Sequence, residues 1–149
     1  MPDFKVKNEK GRWIRSEKLK GKKLILFFYP QDNTPSCTNE ACSIRDDYRK
    51  LRKAGYHIFG ISPDSVKKHQ NFIEKFGFKF SLLADIEKQM IEAFGLWGPK
   101  MFMGREVIGV HRTTFIVNEQ GIIEHIIQNV ITKIHARQIL ELVTSDGNT

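Results

Sequence analysis

The residues best suited to chemistry are two cysteines, Cys37 and Cys42, separated by four positions. A cysteine thiolate is a strong nucleophile that can attack an oxygen–oxygen bond, and a second thiol can capture the oxidised sulfur. The chain begins without an export signal, and cytosolic reductants keep most thiols reduced, so a structural disulfide is not expected. The pair is therefore either catalytic or inert.

A metal site is not expected, because the potential ligands are dispersed. The chain has no Cys-x-x-Cys motif, and a zinc site normally needs several ligands at close spacing. The five histidines stand singly along the sequence: His57, His69, His111, His125 and His135. We therefore expect no bound metal ion.

A predicted strand and a predicted helix flank Cys37. Residues 22–29, KKLILFFY, form a continuous apolar run that stops at Pro30, which predicts a strand covered on both faces. Residues 36–55 have helical character. Cys37 then lies in the first helical turn beyond the carboxyl end of a strand, where ligands bind in open α/β sheets. Free backbone N–H groups and the helix dipole stabilise a thiolate there.

The remaining sequence alternates strands and helices. We predict strands at 56–62 and 80–85, helices at 65–77 and 86–95, a loop at 96–110, a hairpin at 112–127 and a last helix from 132. Four apolar side chains of this loop could line a pocket mouth or a dimer contact, but core packing is the stronger expectation: Trp97, Met101, Phe102 and Met103. This order indicates one domain over residues 1–149, an α/β sandwich with a mixed central sheet flanked by helices. The thioredoxin-like fold fits it best.

The composition is that of a packed globular protein, with 40% hydrophobic, 11% aromatic and 28% charged residues. The net charge of +7 is spread among interleaved acidic and basic residues, and no groove-reading or base-stacking motif accompanies it. We expect no nucleic-acid partner. No segment approaches the roughly 20 apolar residues of a membrane span. We therefore expect a cytoplasmic protein without a membrane partner.

The pattern Pro30-x-x-x-Thr34-x-x-Cys37 resembles the active-site signature of peroxiredoxins. The longer string FYPQDNTPSCTNEACSIRD is similar to the subgroup called peroxiredoxin Q or bacterioferritin comigratory protein, and the likeness continues through GIS, LWGPKMFMG and GVHRTTFIV. The resemblance implies a thioredoxin-like fold and a peroxidase that reduces hydrogen peroxide and organic hydroperoxides. It also implies that neither a metal nor an organic cofactor is needed.

The resemblance implies a role for five residues around the thiol. Cys37 would attack the terminal peroxide oxygen and become a sulfenic acid, while Thr34 would hold the oxygens in line and Pro30 would shield the pocket. Arg112 would stabilise the thiolate and the leaving oxygen, and Glu40 could orient Arg112. Each residue has an ordinary alternative. Cys37 could be a small core residue, Thr34 a turn or cap and Pro30 a strand end, with Arg112 and Glu40 exposed.

The spacing of Cys42 matches subgroup members in which the second cysteine resolves the sulfenic acid within one chain. Residues five apart on a helix have Cα atoms roughly 8.6 Å apart, whereas a disulfide needs about 4.4 to 6.8 Å. If one helix holds Cys37 and Cys42, its first turn must therefore unwind. The resemblance implies re-reduction by thioredoxin or a similar dithiol. Intrachain resolution favours a monomer and leaves a dimer open.

Two other functions remain to be weighed. A general disulfide oxidoreductase typically uses Cys-x-x-Cys, which the four-residue spacer disfavours. A redox-regulated binding or chaperone-like module could use the same fold without turnover. The combined presence of Thr34, Cys37 and Arg112 disfavours that second alternative.

Overall fold

A seven-stranded mixed β-sheet forms the centre of the structure, a computed structural model that describes residues 1–147. The strands of this sheet are β1 (Lys5–Asn8), β2 (Trp13–Arg15), β3 (Lys23–Phe28), β4 (Tyr56–Ser62), β5 (Ser81–Ala84), β8 (Thr113–Val117) and β9 (Ile123–Ile127). They lie in the order β2-β1-β5-β4-β3-β8-β9, and the neighbours β3, β4 and β5 are parallel. A separate hairpin contains β6 (Trp97–Phe102) and β7 (Arg105–Val110).

In the described part of the chain, five α-helices cover the sheet: α1 (Pro35–Asp46), α2 (Tyr48–Lys53), α3 (Val66–Phe76), α4 (Gln89–Ala93) and α5 (His135–Gly147). Short 3₁₀ turns precede β3 and α5, at Ser16–Leu19 and Thr132–Ile134. This architecture confirms the predicted α/β class with a mixed central sheet. Every helix within residues 1–147 is too short or too polar to traverse a lipid bilayer.

The central strand β3 explains why the core has two halves. Successive side chains of a strand point to opposite faces, so Ile25 and Phe27 pack on one face while Leu24 and Leu26 pack on the other. The first cluster is completed by side chains from α1, α3 and α5, and the second includes side chains from α4. Burial on both faces is why β3 is a continuous apolar run.

The ends of α3 follow its sequence closely. The Ser65 hydroxyl accepts a hydrogen bond from the backbone N–H of Lys68 over 3.2 Å and caps the first turn. Gly77 ends the helix in the left-handed conformation, with φ 69°, which glycine adopts without a Cβ penalty. These local signals are why the predicted boundaries at 65–77 agree with the structure.

Two sequence predictions are wrong. The helix expected over 36–55 is interrupted at Asp47, whose φ of −107° and ψ of 17° separate α1 from α2. The segment 96–110 is the β6–β7 hairpin rather than a loop. Its two turn residues, Met103 and Gly104, both have positive φ, as a type I′ turn requires. Methionine rarely adopts that conformation, so the sequence carries no usual turn signal.

The expected burial of the hairpin side chains is also wrong. Met103 is 88% exposed at the turn, and the other three side chains of this set are exposed as well: Trp97, Met101 and Phe102. The hairpin pairs only with itself and is not part of the central sheet, so most of its surface has no covering layer.

We expect Gly60→Ala to destabilise the protein by about 1–3 kcal/mol, because overpacking a dense core forces side chains from their preferred positions. A Cβ at Gly60 would lie 2.6 Å from Cζ of Phe27 and 2.7 Å from Cδ2 of Leu82. Urea denaturation measures the change in the free energy of unfolding. The matched control is Gly98→Ala, where the nearest heavy atom is 3.8 Å away. Equal effects at the two glycines would contradict the packing argument.

Candidate active site

Cys37 is the third residue of α1 and sits where the first helical turn leaves its backbone N–H groups without intrahelical partners. Thr34 is the N-cap and Pro35 opens the helix, a position that suits proline because its missing N–H has no helical acceptor. The cysteine is only 2% exposed and lies in the first core cluster. Burial alone would agree with Cys37 being a small core residue. Its polar contacts therefore decide whether it is a core residue or a reactive thiol.

The antiparallel pairing of β3 with β8 brings Arg112 to Cys37. Phe28, which ends β3, lies opposite Thr113, which begins β8, so residue 112 lies at the sheet edge where the loop to α1 starts. Nη2 of Arg112 donates to Sγ of Cys37 over 3.2 Å, across 75 positions of sequence. A guanidinium at this distance stabilises a thiolate. Arg112 is therefore a partner of the thiol and not an ordinary surface residue.

Glu40 is fully buried, which corrects the alternative of an exposed first-turn glutamate. It lies three positions after Cys37 and therefore on the same side of α1. Its Oε1 accepts a hydrogen bond from Nη1 of Arg112 over 2.5 Å. Burial raises the pKa of Glu40 to about 7, and the nearby charge of Arg112 only partly opposes that rise. Arg112 thus joins a thiol and a carboxyl group.

His135 extends this cluster and was not recognised as a site residue in the sequence. It is fully buried at the start of α5, and its Nε2 lies 3.5 Å from Oε2 of Glu40. Among the residues that the structure describes, Oε2 nevertheless has no hydrogen-bond partner. Thr114 of β8 also reaches the ring, with its hydroxyl 2.6 Å from Nε2. A lone histidine before an ordinary amphipathic helix carries no signal of this role, since the contact depends on how α5 docks.

The hydrogen bonds of Gln138 fix the tautomer of His135. The side-chain amide of Gln138 donates to the Asn129 carbonyl over 2.9 Å, and its oxygen accepts from the backbone N–H of Ile131 over 3.0 Å. That oxygen therefore accepts from Nδ1 of His135, 2.9 Å away, leaving a lone pair on Nε2 of the neutral ring. Burial lowers the pKa of His135 to about 4; Gln138 opposes this and the charge of Arg112 adds to it.

Lys100 is a second cation near the thiol, and no motif in the sequence marks it. Its Nζ donates to the Val110 carbonyl over 2.8 Å. Burial and the charge of Arg112 lower the pKa of Lys100, while Cys37 opposes the change. Two cations, Arg112 and Lys100, therefore interact electrostatically with Cys37.

The structure does not bring the Thr34 hydroxyl to the thiol. Within the described residues that hydroxyl donates to the Gln31 carbonyl, 3.2 Å away, and Thr34 makes no side-chain cap of α1. Pro30 is half-buried and follows the fully buried Tyr29 at the end of β3. To donate to the thiolate or to a peroxide, the Thr34 hydroxyl would have to give up its bond to the Gln31 carbonyl.

A second buried network holds the loop between β3 and α1. The Tyr29 hydroxyl donates to Oδ1 of Asp32 over 2.6 Å, and Nδ1 of His69 lies 2.6 Å from Oδ2. Nε2 of His69 donates to the Leu83 carbonyl over 3.0 Å, and the Asp32 backbone N–H donates to Asp64 over 2.7 Å. These contacts tie the loop to α3, β5 and the segment after β4.

Cys42 is half-buried in the same helix as Cys37, and both thiols are free. Burial raises the pKa of the Cys42 thiol, with Arg45 opposing and Asp46 adding to the change. The reduced form of this helix therefore keeps Cys42 as a neutral thiol. Within residues 1–147 no group of three histidine, cysteine or carboxylate side chains is arranged to hold a metal ion.

The chain is similar to known proteins in family, sequence and structure. The family model described as the AhpC/TSA family matches residues 1–126. The putative peroxiredoxin Bcp of Haemophilus influenzae is 40% identical over 144 residues, which cover 97% of this chain and 93% of that protein.

Two solved structures extend the likeness to the fold. That of Xanthomonas campestris bacterioferritin comigratory protein, studied for alkyl peroxide reduction, superposes with a TM-score of 0.89 at 31% identity, covering 96% of this chain and 91% of that one. Peroxidoxin BcpB of Mycobacterium tuberculosis gives 0.85 at 29% identity, covering 97% and 94%. These similarities confirm the predicted thioredoxin-like fold.

Opposite changes in pH dependence are expected when either member of the Glu40–His135 pair is removed. In Glu40→Gln only His135 remains, and its folded pKa of about 4 lies below the ordinary 6.5. The unfolded chain then binds more protons, so stability rises with pH between these values by at most about 3 kcal/mol. In His135→Gln only Glu40 remains, and burial still holds its folded pKa above the ordinary 4.5. Stability then falls as pH rises through that window, by at most about 3 kcal/mol.

In the parent, the contributions of Glu40 and His135 to the pH dependence of stability oppose each other. Over most of the pH range between their folded and ordinary pKa values, the two residues together hold one proton in the folded chain and one in the unfolded chain. Urea denaturation of the parent and both variants across this range gives the free energies of unfolding. Subtracting the parent curve removes the contribution of all other groups. Parallel curves for the three proteins would show that the pair does not titrate as described.

Proposed function

Given that the chain belongs to the AhpC/TSA family, and within it to the Bcp and peroxiredoxin Q group of thiol peroxidases, we propose that it reduces hydroperoxides with Cys37 as the attacking thiolate. The observation that carries the proposal is the contact of Arg112 with both Cys37 and Glu40. A guanidinium bonded to the sulfur stabilises the anion that attacks the peroxide. The structure of a relative studied for alkyl peroxide reduction supports organic hydroperoxides as well as hydrogen peroxide.

In the first step, the Cys37 thiolate attacks the terminal oxygen of the hydroperoxide. A sulfur–oxygen bond forms while the oxygen–oxygen bond breaks, and the electron pair leaves on the alkoxide or hydroxide. That product takes up a proton to become an alcohol or water, and Cys37 becomes a sulfenic acid. Arg112 faces the charge that develops on the leaving oxygen, and Lys100 adds to the positive field. Pro30 and Thr34 border the loop that leads to the thiol.

In the second step, the Cys42 thiol condenses with the Cys37 sulfenic acid, forming a disulfide and releasing water. Both cysteines lie in α1, where Cα atoms five residues apart are roughly 8.6 Å from each other. A disulfide spans about 4.4 to 6.8 Å, so the first turn of α1 must unwind. The absence of a side-chain cap at Thr34 supports this step, because an uncapped helix end frays more readily.

In the third step, a dithiol reductant of the thioredoxin type opens the disulfide by thiol–disulfide exchange and restores both thiols. Unwinding of α1 exposes the bonded sulfurs to this partner. Because resolution uses two cysteines of one chain, the cycle needs no second subunit, and we propose a monomer as the working unit. We also propose that residues 1–149 act as one domain.

The buried position of Cys37 also bears on the two alternatives. A general disulfide oxidoreductase must bring a partner protein's disulfide to its attacking sulfur, and a thiol that is 2% exposed disfavours that access. A small hydroperoxide needs far less room. A binding module without turnover has no need for a cation held against the thiol, which leaves peroxide reduction as the function the geometry favours.

Substituting each cysteine separately tests the proposed roles. We expect Cys37→Ser to abolish rapid peroxide consumption, because the nucleophile is gone. Cys42→Ser should still consume one equivalent of hydrogen peroxide and gain one oxygen atom, but should not turn over with a dithiol reductant. Stopped-flow mixing and intact-protein mass spectrometry measure both results. A parent that reacts no faster than a free thiol would favour a binding module.

Disulfide formation should loosen the start of α1. We expect faster amide hydrogen exchange over residues 36–45 in the Cys37–Cys42 disulfide form than in the reduced form, because the helical bonds of that turn are lost. Exchange in α3, far along the chain, should be unchanged and serves as the internal control. Cys42→Ser, which cannot form the bond, should keep the protection of the reduced parent under oxidising conditions. Equal exchange in the disulfide and reduced forms would contradict the unwinding step.

A further inference from the structure

Glu40 and His135 form a buried pair that reaches Cys37 through Arg112. Both side chains are completely inaccessible to solvent. Oε1 of Glu40 is bonded to Arg112, but within residues 1–147 Oε2 has no hydrogen-bond donor, and Nε2 of His135 is 3.5 Å away from it. A buried carboxylate oxygen without a donor is unfavourable, whereas a protonated carboxyl can present its own O–H. The geometry therefore calls for a proton between Oε2 and the ring.

The neutral tautomer of His135 provides a place for that proton. Since Nδ1 donates to Gln138, the one lone pair of Nε2 lies 2.6 Å from the Thr114 hydroxyl, which donates to it, and Oε2 of Glu40 lies 3.5 Å from the same nitrogen. With the proton on Oε2 the neutral ring accepts from Thr114, and with the proton on Nε2 that N–H lies between the Thr114 oxygen and Oε2. In both arrangements the pair of residues has no net charge.

The ionisable groups around the pair come from the elements packed against it. The charged partner in direct contact is Arg112, which also holds the Cys37 thiol. Lys100 of β6 interacts electrostatically with Arg112 and Cys37, and the exposed Lys133 and Arg137 flank His135 in the sequence. The exposed side chains are screened by solvent.

We propose that Glu40 and His135 retain one shared proton near neutral pH, so that the cluster with Arg112 presents one net positive charge to the Cys37 thiolate. Loss of the proton would make the cluster neutral and place a carboxylate close to the reacting sulfur. Glu40 and His135 are then positioning residues that act through Arg112. This role deepens the proposed peroxidase function and rests on it.

The shared proton has a kinetic consequence. Burial raises the pKa of Glu40 to about 7, so a rise in pH through neutrality removes the proton. The new negative charge opposes both the thiolate and the charge developing on the leaving oxygen. Oxidation of Cys37 should therefore slow above neutral pH, even though thiols in general react faster as pH rises.

The first test reads the proton directly and does not depend on activity. In the reduced protein labelled with ¹³C at glutamate δ-carbons, the resonance missing from Glu40→Gln should titrate near pH 7. In His135→Gln the midpoint of this resonance should fall by about one pH unit, because the partner that shares the proton is gone. In Cys37→Ser it should fall by a similar amount, because the neighbouring thiolate is gone. A Glu40 midpoint in the ordinary glutamate range, or one that neither variant moves, would overturn the proposal.

The second test follows the rate of Cys37 oxidation by hydrogen peroxide across neutral pH. The parent rate should fall by about tenfold on the alkaline side, and Glu40→Gln, which keeps an acceptor for Arg112 but cannot ionise, should lack this fall. His135→Gln should show the fall at lower pH. If Glu40 merely held Arg112 in place, Glu40→Gln would lower the oxidation rate equally at all pH values. The alkaline decrease in rate would then persist in Glu40→Gln, and that result would refute the shared proton.

The two tests separate the two proposals. A parent that reacts slowly at every pH would contradict the peroxidase function, while the carbon resonance would still report whether the pair holds its proton. A fast parent whose pH profile is the same in both variants would leave the peroxidase function standing and remove the role of the Glu40–His135 pair.

Discussion

The guanidinium of Arg112 is the contact on which the rest of the site depends. It bonds Cys37 through one nitrogen and Glu40 through the other, so a thiol and a fully buried carboxyl share one cation. Without that cation, Glu40 would be a buried acid with no compensating charge, a costly arrangement. Arg112 reaches this position only because β8 pairs with β3 in the observed register. The chemistry of the site is therefore linked to the pairing of the central strands.

The two ends of the active-site loop are restrained to different degrees. Tyr29, Asp32 and His69 anchor the loop to α3 and β5, and Asp64 holds its backbone. The first turn of α1 begins at Thr34 without a side-chain cap. The loop before the thiol is thus fixed, while the turn that carries the thiol has fewer restraints. This contrast suits a cysteine that must be held accurately when reduced and released when oxidised.

Local sequence signals predicted the elements that depend on local physics. The apolar run that became β3 and the capped helix α3 were placed nearly to the residue. The β6–β7 hairpin was missed because Met103 adopts a left-handed conformation that methionine rarely takes. The break at Asp47 was missed because α1 and α2 form an almost continuous helical pattern. In both cases the deciding factor was how the backbone turns, which side-chain periodicity does not report.

For the site, the sequence by itself determined that Cys37 opens a helix after a buried strand, and its resemblance to a known signature pointed to Thr34, Arg112, Glu40 and Cys42. Only the tertiary structure decided which of these meet. It joined Arg112 to Cys37, buried Glu40 and added His135 from the last helix. The physical reason is that a contact across 75 positions depends on strand register and helix docking. A proton between two buried side chains follows from that packing, because burial makes an unpartnered charge costly.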